Sequence, residues 1–196
     1  MEVSLWIALF TALISWRAFD PQTGWLDRFM LRPYRVWQYR EVWRIVTHAC
    51  IHSGWPHLLV NMFVFMQFGP YLESVWGAGE LLIIYIGGIF IAALPALIKH
   101  RENPAYASLG ASGAVNSVLF AFIAMQPQSE LYLFAVIPLP AWALGALFIF
   151  YESRMQRSSQ STGIAHDAHL YGGLWGILCA IALHPEVGQS WLDLLC

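Results

Sequence analysis

Leu109-Gly110-Ala111-Ser112-Gly113-Ala114 opens an apolar run that fades near Gln126, and the reading of this stretch decides the fold. A serine at a helix start is ordinarily a cap whose hydroxyl holds a free backbone N–H. Any other role for Ser112 has to beat that one. The run is about 15 residues long, where about 20 would cross a bilayer core. Such a helix is expected to start below the membrane surface, and irregular backbone at that depth is tolerated only when it is buried in protein or lines a water-filled cavity. Ser112 is therefore expected to face a wet cavity inside the bilayer. Gly113, Ser117 and Ala121 recur every four residues, a small-residue stripe that admits a close helix neighbour.

The remainder of the chain supports the bilayer reading. Of 196 residues, 58% are hydrophobic and 11% charged, whereas soluble domains carry about a quarter charged residues. The expected class is an all-α integral membrane protein, a single domain over residues 1–196. A net charge of −2 offers no basic field for phosphate and excludes nucleic acid as a partner. Cys50, Cys179 and Cys196 are irregularly spaced and suggest neither a disulfide framework nor a zinc knuckle. No cofactor is expected.

Six apolar runs read as spans: Val3 to about Phe19, His57 to Val75, Leu81 to Ile98, Ser112 to about Gln126, Leu131 to Tyr151, and Ile164 or Ala165 to about Leu183. The first has Glu2 before it and no small-residue cleavage pattern after it, so it reads as a span rather than a removable leader. Pro138 and Pro140 should kink the fifth span or begin it late. Between the first two spans lies a long loop, Asp20 to Pro56, in which Trp25, Phe29, Tyr34, Trp37, Tyr39 and Trp43 alternate with Arg28, Arg32, Arg35, Arg40 and Arg44. That mixture suits the lipid headgroups, where rings lie flat and arginines reach phosphate. A polar loop is expected over Glu152 to Gly163, and a short polar tail after His184.

Polar residues within the spans single out a site. One polar residue in a membrane helix often only joins helices, but ionisable groups at depth are otherwise functional by default. Serine is a weak nucleophile until a base takes its proton, and imidazole is the usual base. His169 shares a helix face with Gly172, Gly173 and Gly176, so its helix could pack closely on that of Ser112. His57 and Asn61 are four residues apart on the second span, one above the other, and can donate hydrogen bonds to an oxyanion. Backbone N–H groups at the Ser112 helix start can add more. No carboxylate in the spans looks placed to orient His169, which favours a Ser/His dyad; Asp167 should face away.

Two other readings compete with this one. His48 with His52, and His166 with His169, have spacings that could share a metal ion, although no carboxylate ligand is obvious. A non-catalytic membrane scaffold with the same cavity is the third.

In these motifs the chain resembles the rhomboid family of intramembrane serine proteases, in its minimal six-helix bacterial form. Gly110-Ala111-Ser112-Gly113 is similar to the family's Gly-x-Ser-Gly, which implies that Ser112 is the nucleophile. Ala168-His169-Leu170-Tyr171-Gly172 resembles its Ala-His-x-x-Gly, which implies that His169 is the base, with Gly172 and Gly176 allowing close packing. His52-x4-His57-x3-Asn61 resembles the second-helix motif, implying oxyanion donors at His57 and Asn61 and a structural His52. Trp43-Arg44 resembles the first-loop Trp-Arg pair, a structural element lying partly in the membrane, and Glu73 with Gly77 resembles the ending of the family's second helix. Where the family often has a tyrosine packing on the histidine, four residues after the serine, this chain has Asn116. The resemblance implies a six-helix bundle cutting single-span membrane proteins within or near the bilayer, in contact with lipids, in a bacterial inner membrane. It also implies a lateral gate at the proline-bearing fifth helix.

All ten Lys and Arg residues, from Arg17 to Arg157, fall on the side of the first, third and fifth loops. The positive-inside rule would make that side cytoplasmic. The family arrangement would make it extracytoplasmic, and we follow the family, because arginines among headgroups need not report topology.

Overall fold

Local signals start and stop the helices. The computed structural model describes residues 2–133, 136–157 and 165–195. Its main elements are α1 (Val3–Ala18), α2 (Trp25–Phe29), α3 (Pro33–Tyr39), α4 (Arg44–Thr47), α5 (Trp55–Trp76), α6 (Ala78–Lys99), α7 (Ser112–Met125), β1 (Glu130–Leu133), β2 (Ile137–Pro140), α8 (Ala141–Arg157), α9 (His166–Leu183) and α10 (Glu186–Leu195). Prolines occupy the first turns of α3 and α5, where a missing N–H costs least. Gly77, at φ +93°, separates α5 from α6. Together these elements form a helical bundle with one short β-hairpin.

Two expectations change. Leu131 does not begin a helix: β1 and β2 pair antiparallel, Glu130 opposite Pro140 and Leu133 opposite Ile137. Prolines 138 and 140 supply no N–H to a helix, so the fifth span begins late, one of the two outcomes expected of them: α8 starts at Ala141, but it runs on to Arg157. Glu152 is therefore a helix residue and not the start of a loop; residues 158–163 of that expected loop, with Ile164, lie outside the described residues. The tail also departs from expectation. Val187 is buried and Trp191 donates its indole N–H to the Ala124 carbonyl at 2.8 Å, docking α10 under the end of α7.

The first helix is apolar toward the outside and small or polar toward the bundle. On α1, Ser4, Ala8, Thr11, Ser15 and Ala18 face inward, whereas Trp6, Phe10 and Leu13 are more than half exposed. An exposed apolar face of this kind marks contact with lipid or protein. Among the described residues two helices, α5 and α6, are long and apolar enough to cross a membrane, and α1 and α7 are shorter apolar helices. With 14 residues, α7 spans about 21 Å against a core of about 30 Å.

Small residues set the packing around α7. A Cβ on Gly172 would lie 2.1 Å from the Gly113 carbonyl oxygen, and one on Gly176 would lie 2.0 Å from the Ser117 oxygen. On the other flank, Gly113 lies against Ala92, and Gly88 against Ser117. The backbones of α7 and α9 thus touch, with α6 closing the far side.

Candidate active site

The serine loop is tied down before α7 begins. Gly110 has φ +116°, a conformation that L side chains rarely adopt, and a Cβ there would sit 2.7 Å from the His57 ring. Its N–H donates to the His48 carbonyl at 2.9 Å. Leu31 and Ser108 exchange backbone hydrogen bonds of 2.8 and 3.0 Å, so the first loop grips the segment leading into Ser112. Within that loop the Arg44 guanidinium is buried and donates to the Asp27 and Met30 carbonyls at 2.8 and 2.9 Å and to Glu41. Burial pulls the Glu41 carboxyl up, but hydrogen bonds and charge from Arg35 and Arg44 outweigh it and hold the group below the usual carboxylate range. Trp43 beside it is about half exposed, and the Trp37 indole N–H donates to the Leu97 carbonyl at 2.9 Å.

Ser112 and His169 meet across the α7–α9 contact. The Ser112 Oγ lies 2.8 Å from His169 Nε2. On the other edge of the ring, Nδ1 is 3.0 Å from Glu152 Oε1. The second carboxylate oxygen, Oε2, is 2.6 Å from Nδ1 of His166. A carboxylate only accepts hydrogen bonds, so each Nδ1–H donates to it, leaving the His169 Nε2 lone pair for the serine hydroxyl. Glu152 thus overturns the expectation that no carboxylate is placed to orient His169. Sequence reasoning missed it because it ended the fifth helix at Tyr151; the run Glu152-Ser153-Arg154-Met155-Gln156-Arg157 contains no glycine or proline and was the available signal. Asp167 does face elsewhere, accepting from Lys99 Nζ at 3.0 Å. Asn116 is buried, and the aromatic ring beside His169 is Phe148 of α8, centroids 6.3 Å apart.

Directional donors fix two more rings. The Ala111 N–H donates to His52 Nε2 at 3.3 Å, so the His52 proton is on Nδ1 and donates to Ser15 Oγ at 2.9 Å; that hydroxyl donates in turn to the Cys50 carbonyl at 3.1 Å. His52 is fully buried, and burial, with the neighbouring His57, pushes its pKa down to about 3. At His57, the Ser53 N–H points at Nδ1 across a weak 3.5 Å contact, and the Ser53 hydroxyl lies 3.1 Å from the same nitrogen. The ring proton is then on Nε2, the edge lying against Gly110. Asn61 Nδ2 donates to the His57 carbonyl at 2.8 Å, so one of its two amide hydrogens is engaged within α5 itself.

A cavity of about 30 Å³ adjoins the serine, lined by Ser112, Gly110, His48, Ala92 and Ala168 among others. It has room for about one water. His48 and His52 have separate partners: His48 donates from Nδ1 to the Arg44 carbonyl at 3.1 Å, and both nitrogens of His52 are engaged as given above. Among the described residues, Glu152, His166 and His169 bring their ligand atoms within 4.8 Å of one another, so a carboxylate does accompany the second histidine pair.

The profile of the rhomboid domain matches residues 39–186. The chain is 27% identical over 189 residues to RHOMBOID-like protein 12, mitochondrial, of Arabidopsis thaliana, covering 87% of this chain and 54% of that protein. It is 32% identical over 155 residues to Rhomboid-like protease 5 of Toxoplasma gondii, covering 76% of this chain and 17% of that protein. With Rhomboid protease GlpG of Haemophilus influenzae it shares 27% identity over 165 residues, 80% of this chain and 81% of that protein. The chain therefore spans about half the length of the Arabidopsis protein and less of the Toxoplasma one. Since the profile takes in every helix from α4 to α9 and the residues gathered around Ser112, the chain belongs to the rhomboid family.

Proposed function

We propose that the protein is an intramembrane serine endopeptidase that cuts single-span membrane proteins within or near the bilayer. The observation that carries this reading is the 2.8 Å contact from Ser112 Oγ to His169 Nε2. That is the distance at which an imidazole can take the proton of an attacking hydroxyl. Ser112 Oγ attacks the scissile carbonyl carbon as its proton passes to His169 Nε2. The tetrahedral oxyanion takes hydrogen bonds from His57 Nε2–H, from the free Asn61 amide hydrogen and from backbone N–H groups at the start of α7. His169 then protonates the leaving amine and, in a second round, deprotonates the water that releases the acyl group from Ser112. The names of the Toxoplasma and Haemophilus relatives, both proteases, support the assignment.

In this reading α1, α5, α6, α7, α8 and α9 are six spans, and the first loop lies partly among the lipid headgroups. The membrane is a bacterial inner membrane, with the Ser112 end extracytoplasmic. Substrates are segments whose helix unwinds easily, because a stable helix hides its scissile amide within its own hydrogen bonds. Purified protein should cleave a model single-span substrate and label covalently at Ser112 with a fluorophosphonate; Ser112→Ala and His169→Ala should each abolish cleavage. Tags at the two termini, tested by protease accessibility, check the orientation.

The cluster of Glu152, His166 and His169 favours one second reading, a metal-dependent hydrolase. Cleavage that survives Ser112→Ala and is lost to a chelator would establish it. A folded protein that labels with no probe and cuts no substrate would be a scaffold.

A further inference from the structure

The carboxylate between two imidazoles belongs to no motif by which the chain was recognised. Glu152 has 4% of its surface exposed, and both of its oxygens are taken by Nδ1–H donors, His169 at 3.0 Å and His166 at 2.6 Å. Burying a carboxylate is costly unless it is paired and hydrogen-bonded, so a glutamate retained here needs such partners. Here the partner is the ring that also faces Ser112.

We infer that Glu152 is a positioning residue for His169, which makes the site a Ser112–His169–Glu152 triad rather than a dyad. The inference rests on the proposed protease reading. Three consequences follow from the geometry. Accepting from Nδ1–H selects the tautomer whose Nε2 lone pair points at Ser112 Oγ. The bond also holds the ring plane in line with the hydroxyl, at a site where Asn116 stands four residues after the serine and supplies no aromatic face. When Nε2 takes the serine proton, both ring nitrogens carry hydrogen, and the carboxylate opposes the positive charge that forms. His166 holds the second oxygen and keeps the carboxylate from rotating away.

The experiment uses the full chain in detergent or bilayer nanodiscs. Glu152→Gln presents an amide that can donate to Nδ1 and select the wrong tautomer. We expect kcat to fall on the order of 10²- to 10⁴-fold, by analogy with the loss of an orienting carboxylate in a serine protease triad, with KM and Tm close to those of the parent. Glu152→Asp should recover part of kcat, which a purely structural role would not predict. In the unsubstituted protein, ¹⁵N NMR of histidine-labelled samples should show His169 protonated on Nδ1 at neutral pH. The inference is overturned by an unchanged kcat in Glu152→Gln, by His169 protonated only on Nε2, or by cleavage that a chelator abolishes and zinc restores. The NMR measurement decides even where the variants do not fold. Failure of the parent protein to label at Ser112 would instead sink the protease reading, whereas a labelled, active parent with an equally active Glu152→Gln would sink this inference alone.

Discussion

The two faces of α7 are packed in opposite ways. Toward α9 the backbones touch, with Gly172 and Gly176 seated on the carbonyls of Gly113 and Ser117. Toward α8 the contact runs through large side chains, Phe120 with Phe148 at 5.6 Å between centroids, and leaves an open apolar groove of about 370 Å³ lined by Phe120, Ile123, Trp142, Gly145, Ile149 and Ile177 among others. Ser112 and His169 are joined by the first face, and Glu152 is presented by the second. Backbone contact leaves no freedom to slide, whereas side chains lining an open groove have room to change rotamer. The Ser112–His169 distance is thus set by a seam in which two helix backbones touch. The carboxylate rides on a helix whose displacement would withdraw it.

The largest effects are expected at the seam between α7 and α9. Gly172→Val and Gly176→Val each force side-chain atoms into a backbone carbonyl, beyond the ~1–3 kcal/mol usual for overpacking; both should cost folded protein and cleavage together, read by thermal melting and substrate assay. Gly110→Ala comes next. It strains the backbone by about 1–3 kcal/mol and pushes on the His57 ring, so cleavage should fall more than Tm. On the α8 face the outcome should reverse. Gly145→Ala puts its Cβ 3.3 Å from Ile123 Cδ1, the end of a side chain that can move, and gains up to about 1 kcal/mol of helix propensity; Tm should hold or rise. A fall as large as at Gly172 would show the two faces to be equally rigid.

The smallest effect belongs to the first loop. The Glu41 carboxyl, outside the spans, titrates below its unfolded value, so the stability it contributes is present above the unfolded value of 4.5 and is lost as pH falls through the folded one. A melting series should show Glu41→Gln less stable than the parent near pH 6, with the gap closing below about pH 4.5. A constant gap across that range would mean that Glu41 acts by packing alone.

The sequence by itself determined the helices, because what starts and stops them is local. Ser112 after two small residues, Pro56 in a first turn and Gly77 at a turn are read within a few positions, and α1, α5, α6, α7 and α9 begin and end within about three residues of the expected bounds. At Leu131 to Pro140 the two prolines did signal a late start for α8, but not the strand pairing that takes up the residues before it, and the local logic failed after His184, where Val187 and Trp191 at i and i+4 had marked an amphipathic helix. Only the tertiary structure decided which charges meet. Glu152 lies 14 residues before His166 and 17 before His169, and its neighbours follow from how α8 leans on α9. A hydrogen bond needs about 0.3 Å of accuracy in distance; a periodicity specifies a helix face but neither the rotation of one helix against another nor their depth. Those depend on where glycines let backbones touch and where side chains keep them apart.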